Sequence, residues 1–205
     1  MDIFNKIKAI LFNPEKFFLG LNKEKSLQDA LLFYIILLAF SSIMSYLVTL
    51  IFGTSYIGVF YKLFNLNLPI PKFNALFLFG QIIVGYVLSV LLSFVVVAIL
   101  YVWLLIFSGN KGYSKAYQLY IYSQTPSLLI KWIPVLGLFA WIYSLVLLII
   151  GTKKIYNFST TKSVLIYVIP LLIILIFALI FFALFLLIGS TSGPFSPLSN
   201  LPKLS

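Results

Sequence analysis

The stretch Tyr122–Gly137, YSQTPSLLIKWIPVLG, places two prolines and a lysine inside an apolar run of 36 residues, Ala116–Gly151. As one helix that run would be about 54 Å long. Pro126 and Pro134 each lack a backbone donor and disfavour continuous helix. The stretch therefore predicts two helices joined by a tight turn near Lys131.

Composition shows what surrounds this turn. The chain has 205 residues, of which 62% are hydrophobic and only 9% are charged. Besides the run above, three more exceed the roughly 20 residues that a helix needs to cross a bilayer: Leu27–Gly53, Ala75–Gly109 and Ser163–Gly189. These runs lack the polar stripes of soluble helices. The sequence predicts an all-α, polytopic membrane protein.

The number of spans depends on Lys131. At the centre of a single span its charge would cost about 2.5–3.5 kcal/mol, whereas a turn places it at the interface beside Trp132, an aromatic anchor. The run Ala75–Gly109 has no internal proline or charge and is interpreted as one tilted span. Five transmembrane helices are thus predicted, at about residues 27–53, 78–108, 114–131, 134–151 and 163–188.

Orientation follows from the lysines. With five spans and an N-terminus inside, ten of the 14 lysines fall in inside segments and four in outside segments. The positive-inside rule then favours an N-inside, C-outside arrangement. With four spans, the lysines between Gly151 and Lys162 would face outside and weaken this bias.

The segments outside the spans carry their own signals. Residues 1–26 are predicted to form a cytosolic, interfacial amphipathic segment, with a helix starting at Asn13-Pro14 and a capping box at Ser26-x-x-Asp29. Residues 27–189 form the membrane domain, and the Ser-, Pro- and Gly-rich tail 190–205 is predicted to be disordered.

Residue types exclude most catalytic chemistry. The chain has no His and no Cys, and no acid follows Asp29, so metal clusters, His-based triads and paired carboxylates in the membrane are not available. No catalytic residue, cofactor or metal site is predicted, and the protein is predicted not to be an enzyme. A Ser127–Lys131 dyad is less favoured than a span-end serine beside a snorkelling lysine.

The net charge of +10 does not indicate nucleic acid here, because the lysines lie between apolar runs. It indicates the lipid bilayer and its anionic headgroups as partners.

Two polar stripes recur at helical spacing. They suit close helix packing, and the alternative is a polar path of a small transporter or channel component between spans one to three. Tyr122 to Thr125, just before Pro126, suit a helix-packing network or a small ligand cavity. The stripe residues are Ser41, Ser45 and Thr49 in the first span and Gln81, Gly85, Ser89 and Ser93 in the second.

Several motifs in order resemble the YIP-domain family of Ypt/Rab-interacting membrane proteins. They are an Asn-Pro-x-x-Phe-Phe entry, a Tyr-Ser-x-x-Pro element, an Ile-Pro-x-x-Gly turn and a Gly-Thr-Lys-Lys-Ile-Tyr-Asn-Phe-Ser segment. The residues that carry the resemblance are Asn13, Pro14, Phe17, Tyr122, Ser123, Pro126, Pro134, Gly137, Gly151, Lys154 and Ser159.

The resemblance implies five helices and a cytosolic N-terminus, as well as a membrane-trafficking role with Rab-type GTPases in eukaryotic members, often as hetero-oligomers. Two features of this chain speak against GTPase contact. Its N-terminal segment has only about 26 residues, and no Asp-Leu-Tyr-Gly-Pro element precedes the first span. Both suit a short prokaryotic member, for which the plasma membrane is the expected location. The predicted function is a non-enzymatic membrane protein that organises protein partners or lipids, as a homo- or hetero-oligomer.

Overall fold

The computed structural model describes residues 2–21, 26–52 and 74–192, without the side chains of residues 134, 135 and 186–192. All regular structure in these ranges is helical, which confirms the all-α prediction. The helices are α1 (Ile3–Phe12), α2 (Pro14–Gly20), α3 (Leu27–Phe52), α4 (Ala75–Ile106), α5 (Tyr113–Ser123), α6 (Thr125–Ile130), α7 (Pro134–Tyr156) and α8 (Thr160–Ser192).

Four of these helices are long and apolar enough to cross a membrane: α3, α4, α7 and α8. Their outer side chains are largely apolar and exposed, as lipid-facing helices require. The fifth predicted span, 114–131, coincides with α5 and α6, and neither of these is long enough alone to cross a bilayer. The structure therefore supports a multi-pass membrane protein with at least these four apolar helices.

The break between α5 and α6 has its cause in Pro126. This residue has no N–H to donate to the carbonyl of Tyr122, four residues earlier. The hydroxyl of Thr125 donates to that carbonyl instead, at 2.7 Å. One residue further on, the backbone N–H of Ser127 donates to the hydroxyl of Ser144 in α7, at 3.3 Å. The Tyr122 carbonyl and the Ser127 N–H thus both have hydrogen-bond partners although the helix is not continuous.

The predicted turn between α6 and α7 lies at Lys131–Ile133. The Trp132 indole donates to the carbonyl of Leu129 at 2.6 Å, which fixes the ring at the turn. A side chain on Gly137 would begin 3.1 Å from the carbonyl oxygen of Lys131, so the glycine lets the returning helix approach this backbone closely. The two helices then pack against each other.

Helix α3 packs against α4, α5 and α6. Buried and half-buried tyrosines join these helices through their hydroxyls. Tyr86 donates to the carbonyl of Ile35 at 3.3 Å, and Tyr34 donates to that of Ser89 at 3.4 Å. A tyrosine fits such a position because its ring is apolar and its hydroxyl can satisfy a carbonyl.

The chain divides into two compact units, residues 1–163 and 164–205. Near the end of the first unit, α7 ends at Asn157 in the left-handed conformation, with φ 56°. The hydroxyl of Ser159 then accepts from the N–H of Lys162 at 3.2 Å, as an N-cap does.

The second unit consists, within the described residues, of the remainder of α8. Its side chains from 171 to 185 are apolar and exposed. Helix α8 continues to Ser192, beyond the predicted span end at 188. Residues 193–205 of the predicted disordered tail lie outside the described residues.

Candidate functional site

The two N-terminal helices, α1 and α2, are termed the N-terminal hairpin. They lie against the bundle: α2 packs on α7, and α1 contacts α6. Asn13 precedes Pro14, which opens α2 at its first turn as the Asn-Pro motif predicts. Asn13 makes no side-chain cap bond; its carbonyl accepts from the N–H of Phe17 at 3.0 Å. The hydroxyl of Tyr143 donates to the carbonyl of Leu11 and ties the end of α1 to α7.

Tyr122 is the centre of this docked region. Its side chain is fully buried, and its ring meets the rings of Phe17 and Phe33 edge-on at 5.1 and 5.3 Å between centroids. Edge-to-face pairs add about 0.5–1.5 kcal/mol each beyond burial. The Tyr122 hydroxyl accepts a hydrogen bond from the ammonium of Lys6 at 3.1 Å. Residues 116 positions apart in the chain are thus joined by a charge-assisted bond.

Gly151 lies where α2 crosses α7. A Cβ atom there would be 2.4 Å from the Leu119 side chain and 3.0 Å from the Phe18 ring. Both neighbours are fully buried, so neither has free space to move into. The glycine allows α2, α5 and α7 to meet at this point.

One turn along α7, the Lys154 ammonium forms an ion pair with the Glu15 carboxylate of α2, at 2.7 Å. The hydrogen bond and the charge of Lys154 lower the pKa of Glu15 below its ordinary value of 4.5. The pair is well exposed on the glutamate side, so it orients α2 more than it stabilises the fold.

These contacts bring together motif residues that are far apart in sequence. We term Phe17, Phe18, Leu119, Tyr122 and Gly151 the motif core. Phe18 is the last residue of the Asn-Pro-x-x-Phe-Phe motif, although it was not among the residues named for the resemblance, and Leu119 was not singled out by sequence.

The base of α5 adds two polar residues that sequence reasoning also missed. Gln118 is fully buried; its amide donates to the carbonyl of Ser26 at 2.8 Å and accepts from the Lys115 ammonium at 3.0 Å. Lys115 also donates to the carbonyl of Leu21. Together they fix the chain on both sides of residues 22–25. Their signal in the sequence is a lysine and a glutamine three residues apart, which places them on one side of a helix.

Ser123 and Ser127 face the interior rather than an open cavity. The Ser123 hydroxyl is buried and donates to the carbonyl of Leu119 at 2.7 Å. The Ser127 and Ser144 hydroxyls are 2.8 Å apart and form a buried pair between α6 and α7. The Ser127 hydroxyl is therefore bonded to Ser144, while Lys131 is exposed on the turn.

The stripe residues lie in different surroundings. Ser45 and Thr49 donate to carbonyls of their own helix, those of Ser41 and Ser45, each at 2.8 Å. The Ser41 hydroxyl is buried and has no hydrogen-bond partner among the described residues.

On α4, the C-terminal half of the stripe, Ser89 and Ser93, contacts other helices among the described residues. The Ser93 hydroxyl lies 3.1 Å from that of Tyr117 in α5. Ser89 contributes its backbone carbonyl, which accepts from Tyr34. Gln81 and Gly85 are exposed, in a shallow depression lined by residues of α4.

A half-open cleft of about 960 Å³ lies between the N-terminal hairpin and α3. Its charged lining residues are Lys6, Lys16 and Asp29, and its apolar wall includes Phe33 and Ile36. The sequence contains a sign of it, since Ile3, Lys6 and Ala9 recur at one-turn spacing on the same side of α1. Across residues 2–21, 26–52 and 74–192, no group of three metal-ligating His, Cys, Asp or Glu side chains occurs.

Comparison with known proteins agrees with the motifs. The sequence matches the family model described as the Yip1 domain over residues 8–182. This match covers the N-terminal hairpin from Lys8 onward, the motif core and most of α8. Comparisons with curated proteins and with solved structures give no match. On the strength of the family match, the chain belongs to the Yip1 domain family.

Proposed function

We propose that this protein is a non-enzymatic membrane organiser, which holds protein partners or lipids in place through its docked N-terminal hairpin. The observation that carries this proposal is the use of the motif residues. Tyr122 and Gly151 are used to pack the hairpin onto α5 and α7, and Phe17, which also lines the cleft beside α3, holds its ring against Tyr122. A motif used for docking fits a scaffold better than it fits a catalyst.

The membrane arrangement proposed with this function has five crossings, with the N-terminus inside and the C-terminus outside. Helices α5 and α6 together span residues 113–130, about 27 Å at 1.5 Å per residue. That is close to the roughly 30 Å hydrocarbon core. With this crossing, Lys115, Lys153 and Lys154 share the inner side with the N-terminal hairpin, in line with the Glu15–Lys154 ion pair. A short prokaryotic member would reside in the plasma membrane.

The test is crosslinking in native membranes followed by mass spectrometry. We expect the wild-type protein to recover a stable protein or lipid partner. Tyr122→Leu, which removes the ring contacts to Phe17 and Phe33, should reduce that recovery. Tyr46→Leu is the matched control, because Tyr46 contacts Phe79 between α3 and α4 instead. Isolation of a clean monomer with turnover of a substrate would overturn the proposal.

A polar path between the first three spans stays a prediction. Proteoliposome flux measures it directly. If the wild type carries flux and the folded double variant Gln81→Leu with Ser89→Leu does not, the protein is a transporter and the organiser proposal is wrong.

A further inference from the structure

The cleft beside the N-terminal hairpin has the chemistry of an amphiphile. One part of its lining is charged, with Lys6 and Lys16 from the hairpin and Asp29 from the first turn of α3. The other part is apolar, with Phe33, Leu32 and Ile36 of α3. Its volume of about 960 Å³ is at the upper end of small-molecule sites.

The charged part suits a phosphate with an amine nearby. Lys16 is exposed at the cleft, and an ammonium is a point-charge binder of phosphate. Lys6 adds a second positive charge, held in position by its bond to the Tyr122 hydroxyl. Asp29 is exposed and brings one negative charge to the same cleft. This charge attracts the amine of a headgroup and repels any negative group that the ligand carries besides its phosphate.

The apolar part continues along the span. Leu32 and Ile36 are 58% and 46% exposed, and Phe40 and Ile43 follow on α3 at 42% and 59%. The spacing of four, four and three residues keeps these side chains on one side of the helix. From Leu32 to Ile43 the helix rises about 16 Å, roughly half of a 30 Å hydrocarbon core. The stripe is thus as long as one leaflet is deep.

We propose that this cleft binds a single membrane phospholipid with an amine-bearing headgroup, of which phosphatidylethanolamine is the representative probe. Lys16 and Lys6 hold the phosphate, Asp29 pairs with the headgroup amine, and an acyl chain lies along Leu32 and Ile36. The proposal rests on the organiser function above, since it places the hairpin and the start of α3 at the inner membrane interface. The proposal adds to that function one class of bound lipid and the cleft that binds it.

The experiment titrates purified protein in detergent with dioleoyl phosphatidylethanolamine and, separately, dioleoyl phosphatidylglycerol, and follows bound lipid by native mass spectrometry. Lys16→Ala is expected to weaken phosphatidylethanolamine binding about fivefold, the worth of one lysine near a membrane surface. Lys8→Ala is the matched control. Lys8 is an exposed lysine of the same hairpin that does not line the cleft, and binding should stay within about twofold.

Two further arms identify what is bound. Asp29→Asn should remove the preference for phosphatidylethanolamine over phosphatidylglycerol, because it removes the partner of the amine. Soluble glycerophosphoethanolamine, which has the headgroup without acyl chains, should fail to displace the lipid. Displacement by this headgroup alone would overturn the lipid assignment in favour of a soluble phosphate ligand.

Equal weakening by Lys16→Ala and Lys8→Ala would show only general attraction of lipid to positive charge and would overturn the site. An unchanged lipid preference in Asp29→Asn would do the same for the amine contact. These failures are distinct from failure of the organiser function. A protein that loses the lipid site but still crosslinks to a protein partner retains the proposed function.

Discussion

At Gly151 the chain has no room for a side chain, since a Cβ atom would be 2.4 Å from Leu119 and 3.0 Å from Phe18. At Gly85, in the first half of α4, no atom of the described residues lies within 4 Å of the same position, apart from the glycine's chain neighbours and its own helix backbone. The two glycines are both helical and both lie in apolar runs. They differ only in their neighbours, which makes them a matched pair.

Gly151→Ala should therefore destabilise the protein, while Gly85→Ala should not. Overpacking costs about 1–3 kcal/mol, more than the roughly 1 kcal/mol that alanine gains over glycine in a helix. At Gly85 only the helix gain applies. Thermal unfolding in detergent measures both variants. If Gly151→Ala unfolds at the same temperature as Gly85→Ala, the close meeting of α2, α5 and α7 is wrong.

The Glu15–Lys154 pair gives a pH dependence at the same junction. Because Lys154 lowers the pKa of Glu15 in the folded state, the pair stabilises the fold above the ordinary pKa of 4.5. That contribution is lost as the pH falls through the lower folded-state pKa. The unfolding temperatures of wild type and Glu15→Gln should differ at pH 7, and the difference should shrink as the pH falls below 4.5. A difference that does not depend on pH across this range would contradict the ion pair.

At the scale of elements, the N-terminal hairpin is held by contacts from several helices rather than by one. Tyr122 of α5 contacts the Phe17 ring and accepts from Lys6, and Tyr143 of α7 donates to α1. These elements are joined across more than a hundred residues of sequence. The hairpin thus acts as a unit whose attachment can be weakened without changing α4.

Tyr122→Leu should release this hairpin. Loss of the aromatic pair with Phe17 and of the charge-assisted bond from Lys6 exceeds about 1.4 kcal/mol. Amides of α1 and α2 should then exchange with deuterium about tenfold faster. Exchange in α4 should not change. Tyr46→Leu, whose ring meets Phe79, should leave the hairpin amides at the wild-type rate. Equal acceleration in both variants would indicate general loosening of the bundle instead.

The buried Ser127–Ser144 pair is the corresponding bond between α6 and α7. A double-mutant cycle with Ser127→Ala and Ser144→Ala should give a coupling energy of about 0.6–1.7 kcal/mol, as for hydrogen bonds between membrane helices. Ser45→Ala is the control, because the Ser45 hydroxyl donates within its own helix. Its coupling to Ser144→Ala should be close to zero. A coupling energy of zero between Ser127 and Ser144 would mean that this hydrogen bond does not stabilise the protein.

For the whole molecule, sequence predicts what is local and periodic. The apolar runs predict the positions of α3, α4, α7 and α8 to within a few residues, and Lys131 and Pro134 predict the turn before α7. The motifs predict the family. Contacts such as Lys6 with Tyr122 or Gln118 with the carbonyl of Ser26 are not predictable in this way. They depend on how helices lie against each other, and no spacing along the chain reports that.

The same limit applies to the fifth crossing. The run Ala116–Gly151 indicates two helices, but the first is divided into α5 and α6, with Lys115 and Gln118 at its base. Whether this segment crosses the bilayer depends on the neighbours that satisfy its polar groups. The carbonyl of Tyr122 and the N–H of Ser127 do have such neighbours. These two hydrogen bonds allow residues 113–130 to lie in apolar surroundings although the helix is interrupted between α5 and α6.

Cysteine labelling decides between four and five crossings, on a chain with no native cysteine. Lys131→Cys, on the exposed turn before α7, should react with an impermeant maleimide added from outside. Thr161→Cys should react only after the membrane is opened. Thr161 is exposed in the first turn of α8, and it is preferred to Lys154 because that side chain is only 21% exposed and is paired with Glu15. The unsubstituted chain supplies the background.

The outcomes separate because positions 131 and 161 lie at opposite ends of α7, which is long enough to cross the bilayer. Labelling of position 161 alone from outside would place the turn at 131 inside. Lys8→Cys then separates the two cases, because labelling of position 8 from outside would mean five crossings with inverted orientation, and protection of position 8 would mean four crossings. Labelling of both positions from one side would mean that α7 does not cross, and the five-span arrangement would fall. If only position 131 is labelled, a cysteine in the N-terminal hairpin shows whether the number of crossings between the hairpin and the turn at 131 is odd or even. Lys8→Cys should then be protected, since an inside hairpin and an outside turn at 131 require an odd number of crossings between them.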